Sequence, residues 1–458
     1  MIRRLLLITL FHAAFSTFGD IEANFLSVLS IPLDQLFNDS IQQNYGFTPS
    51  EDQLQTVHSF VASTLFIGIL FGAILIGNFM DTAGRKMLGV YVRGILGISS
   101  SFLAICSSLF VSVELFAITH FLAGIQITLK IVLIIYLSEC ASDDCRGAVI
   151  IILSSGVAIM QLVFQPLFLA ETFGNKNNWF IISIINLTMC ITHLVISSFF
   201  PPSPKHLYLN LKQEERARQS IKFYQGRDAP IDQILAEYER ERLMLDTDHM
   251  SWADIYKNKT TRLPFFCVII VSTITACSAV ALKSQYLQSI LVNQMEMTQS
   301  DASFAILTLI FATSPFALIA PALIEKVGRS PLFLTMSGLC IFEWICLGNI
   351  AFYIGLMNMG PIVINEVCPF PIKRKATEYI QTLPVLIALI TVLLYPLVTS
   401  VLGPVYHLTM VLINSVLFFL LYQNLPETKL KGVDTVVKQL NHYGAIDEQR
   451  PLAVANSN

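Results

Sequence analysis

Long apolar runs separated by short charged segments run the length of the chain. Runs of about 20 mostly apolar residues, the length a bilayer core requires of a helix, fall at 3–29, 57–80, 87–110, 112–137, 147–170 and 178–200. After a polar stretch at 201–262 they resume at 264–292, 301–324, 331–348, 349–366, 376–398 and 402–424. The pattern predicts an all-α membrane protein with up to twelve spans, six on each side of a charged linker. The expected division is a first six-helix bundle at 1–200, a linker with short helices at 201–262, a second bundle at 263–425 and a tail at 426–458. The opening Arg3-Arg4 and its Leu-rich run also fit a cleaved signal peptide. A first span is preferred, because the next apolar runs need it as their topological partner.

The segments between the runs repeat. Gly77-Asn-Phe-Met-Asp81-Thr-Ala-Gly84-Arg85-Lys86 is echoed at Glu325-Lys-Val-Gly328-Arg329, and a Glu and a basic residue seven positions apart occur at Glu139/Arg146 and again at Glu366/Lys373. Repeated charged motifs at matching places among apolar segments point to two related membrane halves, the construction of many secondary transporters.

Lys and Arg set the expected orientation. None occurs between Arg4 and Arg85, between Lys283 and Lys326, or between Lys375 and Lys429. They gather at 85–93, in the linker, at 326–329, at 373–375 and in the tail, which places both termini, the linker and the repeated motifs in the cytoplasm. The segment 30–56 is then a polar extracellular loop, and Asn38-Asp39-Ser40 within it is the expected glycan site. Asn186 and Asn258, also in sequons, are expected to be silent.

Composition narrows the function. Hydrophobic residues make up 54% and charged residues 13%, and the net charge of −3 offers no footprint for nucleic acid. Nine Cys, an odd number without a CxxC, support neither a disulfide framework nor zinc. No GxSxG, HExxH, Walker motif or cluster of metal ligands is present, so neither an enzyme nor a cofactor is expected.

The motifs as a set resemble the sugar-porter family of the major facilitator superfamily, which includes facilitative glucose transporters. Gly77–Lys86 is similar to that family's loop between helices 2 and 3. Tyr136-Leu-Ser-Glu139 with Arg146-Gly147 is similar to its Tyr-x-Ser-Glu and Arg-Gly after helix 4. Pro201-Pro-Ser-Pro-Lys205 is similar to the motif after helix 6, and Pro426-Glu427-Thr-Lys429 to the one after helix 12. The resemblance implies the major facilitator fold, a small-molecule solute and rocking alternating access. Asp81, Arg85, Glu139, Arg146, Glu325, Arg329, Glu366 and Lys373 would be its gating charges at cytoplasmic helix ends.

The sugar-binding positions that the resemblance implies are largely replaced. Ser154 stands for a helix 5 Gln. Thr275-Ala276-Cys277-Ser278-Ala279-Val280-Ala281 stands for Gln-Gln-x-Ser-Gly-x-Asn, keeping only Ser278. Thr313 stands for an Asn, a helix 10 Trp falls near Pro361, and His120 replaces an Arg. Charges inside apolar runs compensate: Asp20, Glu22, Lys130 and Lys283, with Gln126, Gln161 and Gln285 as further polar candidates for the solute path. Lys283 is expected to find its anion in Asp20 or Glu22, or in the solute. The alternative for Asp20, Glu22 and Lys130 is a place near the membrane interface.

The interval from Arg329 to Glu366 is too short for two full spans and a turn. It reads as a tight helix 9/10 hairpin or as sequence lacking about one helix. The expected protein is a multi-pass carrier of a small organic solute at the plasma membrane, a sugar first, with no oligomer required. An organic-ion or proton-coupled carrier and a non-transporting membrane sensor are the alternatives.

Overall fold

The computed structural model describes residues 2–226, 228–245, 252–327, 329–346, 368, 370–402 and 405–424. Every regular element among them is helical. The first apolar run is broken into α1 (Ile2–Phe15), α2 (Phe18–Ala23) and α3 (Phe25–Val28), and α4 (Ser30–Tyr45) follows. Next come α5 (Glu51–Ala83), a π turn at Met87–Val92 leading into α6 (Arg93–Leu109), α7 (Val113–Cys140), α8 (Asp143–Phe164) and α9 (Phe180–Ser198). The linker forms α10 (Pro204–Leu209), α11 (Glu214–Gln225) and α12 (Ile231–Leu245). Beyond it lie α13 (Trp252–Lys257), α14 (Lys259–Ala276), α15 (Val280–Ser289), α16 (Gln299–Val327), α17 (Arg329–Cys346), α18 (Phe370–Leu402) and α19 (Val405–Asn424).

Among the described residues, eight segments are long and apolar enough to cross a bilayer: Arg4–Ala23, Glu51–Ala83, Met87–Leu109, Val113–Cys140, Phe180–Ser198, Thr261–Gln294, Thr382–Leu402 and Val405–Asn424. The runs expected at 147–170, 301–324 and 331–348 are helical as α8, α16 and α17. The run at 349–366 lies outside the described residues, and with it the question of a shortened hairpin.

The segment expected as a polar loop at 30–56 is instead mostly α4. Leu33, Leu36, Phe37 and Ile41 recur at helical spacing and are buried, and that stripe outweighs the polar residues between them. Asn38 sits half-buried on this helix, and the buried Oγ of Ser40 accepts the Val113 N–H (3.0 Å). Gly46, in the left-handed region at φ 75°, ends α4. A reciprocal cap, Ser50 Oγ with the Gln53 N–H (3.3 Å) and Gln53 Oε1 with the Ser50 N–H (2.9 Å), starts α5.

The chain forms two compact units. The first comprises Met1–Asp246, Ala281–Pro315 and Ala388–Val401; the second comprises Thr247–Val280, Phe316–Ile387 and Leu402–Asn458. In the first, α5 and α7 cross where Gly68 faces the Phe121 carbonyl and Gly124 faces that of Leu65, leaving no room for a Cβ on either glycine. Such backbone-to-backbone approach lets membrane helices gain van der Waals contact without a hydrophobic driving force. Leu133, Tyr136, Leu137 and Val90 form a buried core toward the Arg85 end. In the second unit, Val268 and Val271 of α14, Phe333 and Cys340 of α17 and Leu421 of α19 share a core.

Among the described residues, two membrane spans are interrupted. The first breaks at Ser16-Thr17, and the span at Thr261–Gln294 breaks at Cys277-Ser278-Ala279, between α14 and α15. Irregular backbone at membrane depth requires outside partners for its freed polar groups. Arg93 Nη2 donates to the Ser16 carbonyl (2.5 Å) in the first unit, and Asn414 Nδ2 donates to the Cys277 carbonyl (2.9 Å) in the second. Ser278 Oγ donates to the Thr275 carbonyl (2.7 Å).

Candidate functional site

The first break turns α2 inward and with it two carboxyls. Glu22 is 1% exposed. Its Oε1 accepts from Ser101 Oγ (2.7 Å) and Asn186 Nδ2 (2.9 Å), and its Oε2 accepts from Ser100 Oγ. Gln126 Nε2 extends the chain by donating to Ser100 Oγ (2.8 Å). Asp20 is ion-paired with Lys130 of α7. Arg93, fully buried, lies over the Phe18 ring (4.2 Å to its centroid) and donates from Nε to the Gln126 carbonyl (2.8 Å). Helices α2, α6, α7 and α9 thus meet on charged and polar groups deep in the first unit. Arg93 Nη1, Gln126 Oε1 and Asn186 Oδ1 remain buried without a partner: one donor and two acceptors.

This geometry corrects two readings. Arg93 is a buried member of the cluster, not a cytoplasmic topology marker. Asn186, whose sequon was expected to be silent, is buried and hydrogen-bonded in the same cluster. Asp20 and Glu22 are engaged by Lys130 and by Ser100, Ser101 and Asn186, so they are not the anions expected for Lys283.

A second cluster surrounds α15 in the same unit. Ser27 Oγ donates to the Lys283 carbonyl (2.9 Å), and the Ser30 Oγ (3.3 Å) and the Ile31 N–H (3.3 Å) both donate to Gln288 Oε1. His58 Nδ1 lies 2.6 Å from Asp34 Oδ1, and its Nε2 lies 3.3 Å from the Gln285 carbonyl. The side chain of the same Gln285 accepts from His120 Nε2 (2.9 Å). Tyr286 stacks on His58 (5.0 Å) and Phe116 on His120 (6.0 Å). His58 and His120 carried no visible partner in the sequence; partners on other helices supply them. A histidine pair, His12 Nδ1 and His193 Nε2 (3.0 Å), ties α1 to α9.

The third cluster lies at the Arg85 end. Arg85 bridges Asp81 (3.0 Å) and Glu139 (3.2 Å), and Glu139 also accepts from Ser203 Oγ. Lys86 Nζ donates to the Ser198 carbonyl (3.0 Å) and to that of Phe200, and burial pushes its ammonium down to about 8. Gly84, at φ 95°, ends α5, and a Cβ there would meet His206 Nε2 at 2.5 Å. Burial, and then the charge of Arg85, holds His206 below the ordinary histidine value. Tyr136 donates to the Pro201 carbonyl (2.6 Å), and the Tyr224 hydroxyl, with one proton to give, lies within hydrogen-bond reach of both the Tyr136 oxygen (2.6 Å) and that carbonyl (2.8 Å). The linker helices α10 and α11 are therefore bolted to the first unit.

Of the remaining expected residues, Arg146 is exposed and donates from Nε to the Ser138 carbonyl (3.4 Å). Lys283 is buried on α15, and Gln161 is half-buried on α8. For Ser154, Glu325, Arg329 and Lys373 the backbone alone is described, on α8, α16, α17 and α18. Glu366 lies outside the described residues. Among the described residues no group of three or more His, Cys, Asp or Glu is placed to hold a metal ion.

Residues 27–353 match the family described as Sugar (and other) transporter. The chain belongs to that family. Among curated relatives, mouse solute carrier family 2, facilitated glucose transporter member 7 is 23% identical over 73% of this chain and 66% of its own length. Mouse facilitated glucose transporter member 4 is 26% identical over 63% of this chain and 56% of its own. The alignments thus span less than two thirds of either relative. Among solved structures, the inward-open xylose transporter XylE from E. coli superposes with a TM-score of 0.73 at 16% identity, covering 95% of this chain and 99% of XylE. The major facilitator superfamily proton:xylose symporter XylE bound to 6-bromo-6-deoxy-D-glucose gives 0.68 at 17% identity over 96% and 98%. The chain therefore has the major facilitator fold and is a multi-pass membrane protein.

Proposed function

We propose that this chain is a carrier that moves a small polar solute, a sugar first, across a membrane by alternating access. Family membership over residues 27–353 carries the reading. The interrupted spans support it, because discontinuous helices in corresponding halves mark the binding region of secondary transporters. The unpartnered Arg93 Nη1, Gln126 Oε1 and Asn186 Oδ1 offer donors and acceptors of the kind a hydroxylated solute uses. The Arg85 cluster, with Arg146, Glu325, Arg329, Glu366 and Lys373 of the repeat, is proposed as the cytoplasmic gate. The plasma membrane, with both termini inside, is the proposed location, and Asn38 the proposed glycan acceptor.

Uptake of labelled hexoses, polyols, carboxylates and organic cations into proteoliposomes tests the reading. Saturable uptake of a neutral polyol or hexose supports it. No uptake of any of them, with the protein correctly inserted, sinks it in favour of a sensor.

A second reading, proton-coupled transport, is favoured by one observation: Glu22 is buried among neutral donors, and no cation is bonded to it among the described residues. A carboxyl in such a place readily holds a proton. Uptake that acidifies the liposome lumen separates this reading from uniport.

A further inference from the structure

We infer that Asp34 and His58 form a proton-binding site that clamps α15 onto α4, α5 and α7 in the first unit. The inference rests on the carrier reading and adds the proton as a ligand at a site outside the Glu22 cluster.

The argument is one of hydrogen counting. Both groups facing the His58 ring are oxygens that accept: Asp34 Oδ1 at Nδ1 (2.6 Å) and the Gln285 carbonyl at Nε2 (3.3 Å). A neutral imidazole has one N–H and can serve only one of them. Serving both takes one more proton. It sits on His58 as imidazolium beside a carboxylate, or on Asp34 as an acid donating to a neutral ring. The proton count of the pair is the same in either case. Without that proton, His58 keeps Asp34, and its Nε2 lone pair turns toward the lone pairs of the Gln285 carbonyl. The contact with α15 then becomes repulsive.

What that contact controls follows from its neighbours. Gln285 is held from both sides, by His58 of α5 through its main chain and by His120 of α7 through its side chain. His120 has a single accepting partner, which the one N–H of a neutral ring serves. Its Nδ1 is buried without a partner. Ser27 and Ser30 hold the Lys283 carbonyl and Gln288 of the same helix. Other titratable groups on these elements include Lys283 and Tyr286 on α15, Glu114, Lys130 and Glu139 on α7, Asp39 and Tyr45 on α4, Glu51 and Asp52 on α5 and Tyr395 on α18. Lysine and tyrosine ordinarily titrate above the histidine range and aspartate and glutamate below it, and histidine is the side chain whose ordinary charge change lies nearest neutrality. His58 stands 25 residues before Ala83, so this clamp lies about 37 Å along α5 from the Arg85 loop. It therefore acts at the opposite end of the unit from the Arg85 ion pairs.

Hydrogen exchange of residues 280–294, read by mass spectrometry on the full chain in nanodiscs, tests the site. Labelling times are scaled for the intrinsic pH dependence of amide exchange. With one proton bound in the clamped state, protection of α15 falls as pH rises across about 5 to 8, by up to about tenfold per pH unit. His58→Gln and Asp34→Asn each remove the proton site and flatten that slope, while Tyr45→Phe, in the same helix as Asp34, keeps it. Constant wild-type protection after scaling overturns the inference, as does a wild-type slope in folded His58→Gln. The readout needs no solute. Absence of uptake of every member of the labelled solute panel, with the exchange slope intact, overturns the carrier reading and leaves the proton site standing.

Discussion

Arg93 reaches from α6 to the carbonyl of Ser16, 2.5 Å away, at the point where the first membrane span stops being helical. That carbonyl has lost its place in the helix ladder, and no water is at hand at this depth to replace it. One guanidinium also binds the Gln126 carbonyl (2.8 Å) and covers the Phe18 face. A single side chain thus fixes the broken helix to both α6 and α7.

Arg93→Met is expected to destabilise the protein by about 3 kcal/mol, because it leaves the buried Ser16 carbonyl unpaired and takes the second donor from the Gln126 carbonyl. Arg93→Lys restores charge without the planar fork and should recover only part. Thermal unfolding in detergent measures both. Equal midpoints for wild type and Arg93→Met would mean that the break is held by other groups.

Asp20 and Lys130 form a buried ion pair, and such a pair is costly to half-remove. Lys130→Met or Asp20→Asn alone should each cost about 3–5 kcal/mol. The double variant, which leaves no uncompensated charge, should be more stable than either single one. A double-mutant cycle by thermal or denaturant unfolding decides it. Additive losses would show that the two charges do not depend on each other.

Arg85→Ala removes the bridge between Asp81 and Glu139. The proposed gate then favours its open cytoplasmic state, since a ligand or mutation shifts populations by its differential contacts. Cysteines placed at the Arg85 ends of α5 and α7 should label several-fold faster in the variant. Unchanged labelling would return the motif to an orientation signal.

His206 ties the linker to the α5 end, and its depressed pKa gives a sign to the pH dependence. The unfolded histidine binds protons at higher pH than the folded one, so stability contributed by the neutral ring is complete above the ordinary histidine value and is lost as pH falls below it. Limited proteolysis of α10–α12 should accelerate between pH 7 and pH 5 in wild type. In His206→Gln the acceleration should be absent. Cleavage at the same rate across that range in wild type would remove His206 from the attachment.

Much of the helix inventory was legible because a bilayer enforces it: apolar runs long enough to span are visible without any tertiary knowledge. The interruptions were not. Ser16-Thr17 and Cys277-Ser278-Ala279 are unremarkable as residues, and each break is possible only because Arg93 or Asn414 arrives from elsewhere in the chain. Arg93 itself was misread because it stands seven residues after Lys86, where a positive charge ordinarily marks a cytoplasmic end. An isolated Arg inside the run 87–110 was the available signal. Gln285 was visible as a polar residue in an apolar helix. That two histidines, 62 residues apart in sequence, would meet on it was not, since pairing across helices is set by packing. The 30–56 segment failed for a simpler reason: polar residues dominate its average, while the four apolar ones that decide its fold are spaced by helical turns.

The tight crossing of α5 and α7 has a consequence for which sequences this protein can tolerate. At Gly68 and Gly124 a single added methyl would collide with main-chain carbonyls that have nowhere to go, whereas at Gly77 and Gly147 it would enter open space. In a saturation library, Gly77→Ala and Gly147→Ala should survive, while alanine at 68 or 124 should drop out at the level of assembly, before any question of activity arises. The two tolerant glycines belong to the charged family motifs and the two forbidden ones do not. In this chain, membership in a recognisable motif and irreplaceability of the backbone are separate properties, written at different positions.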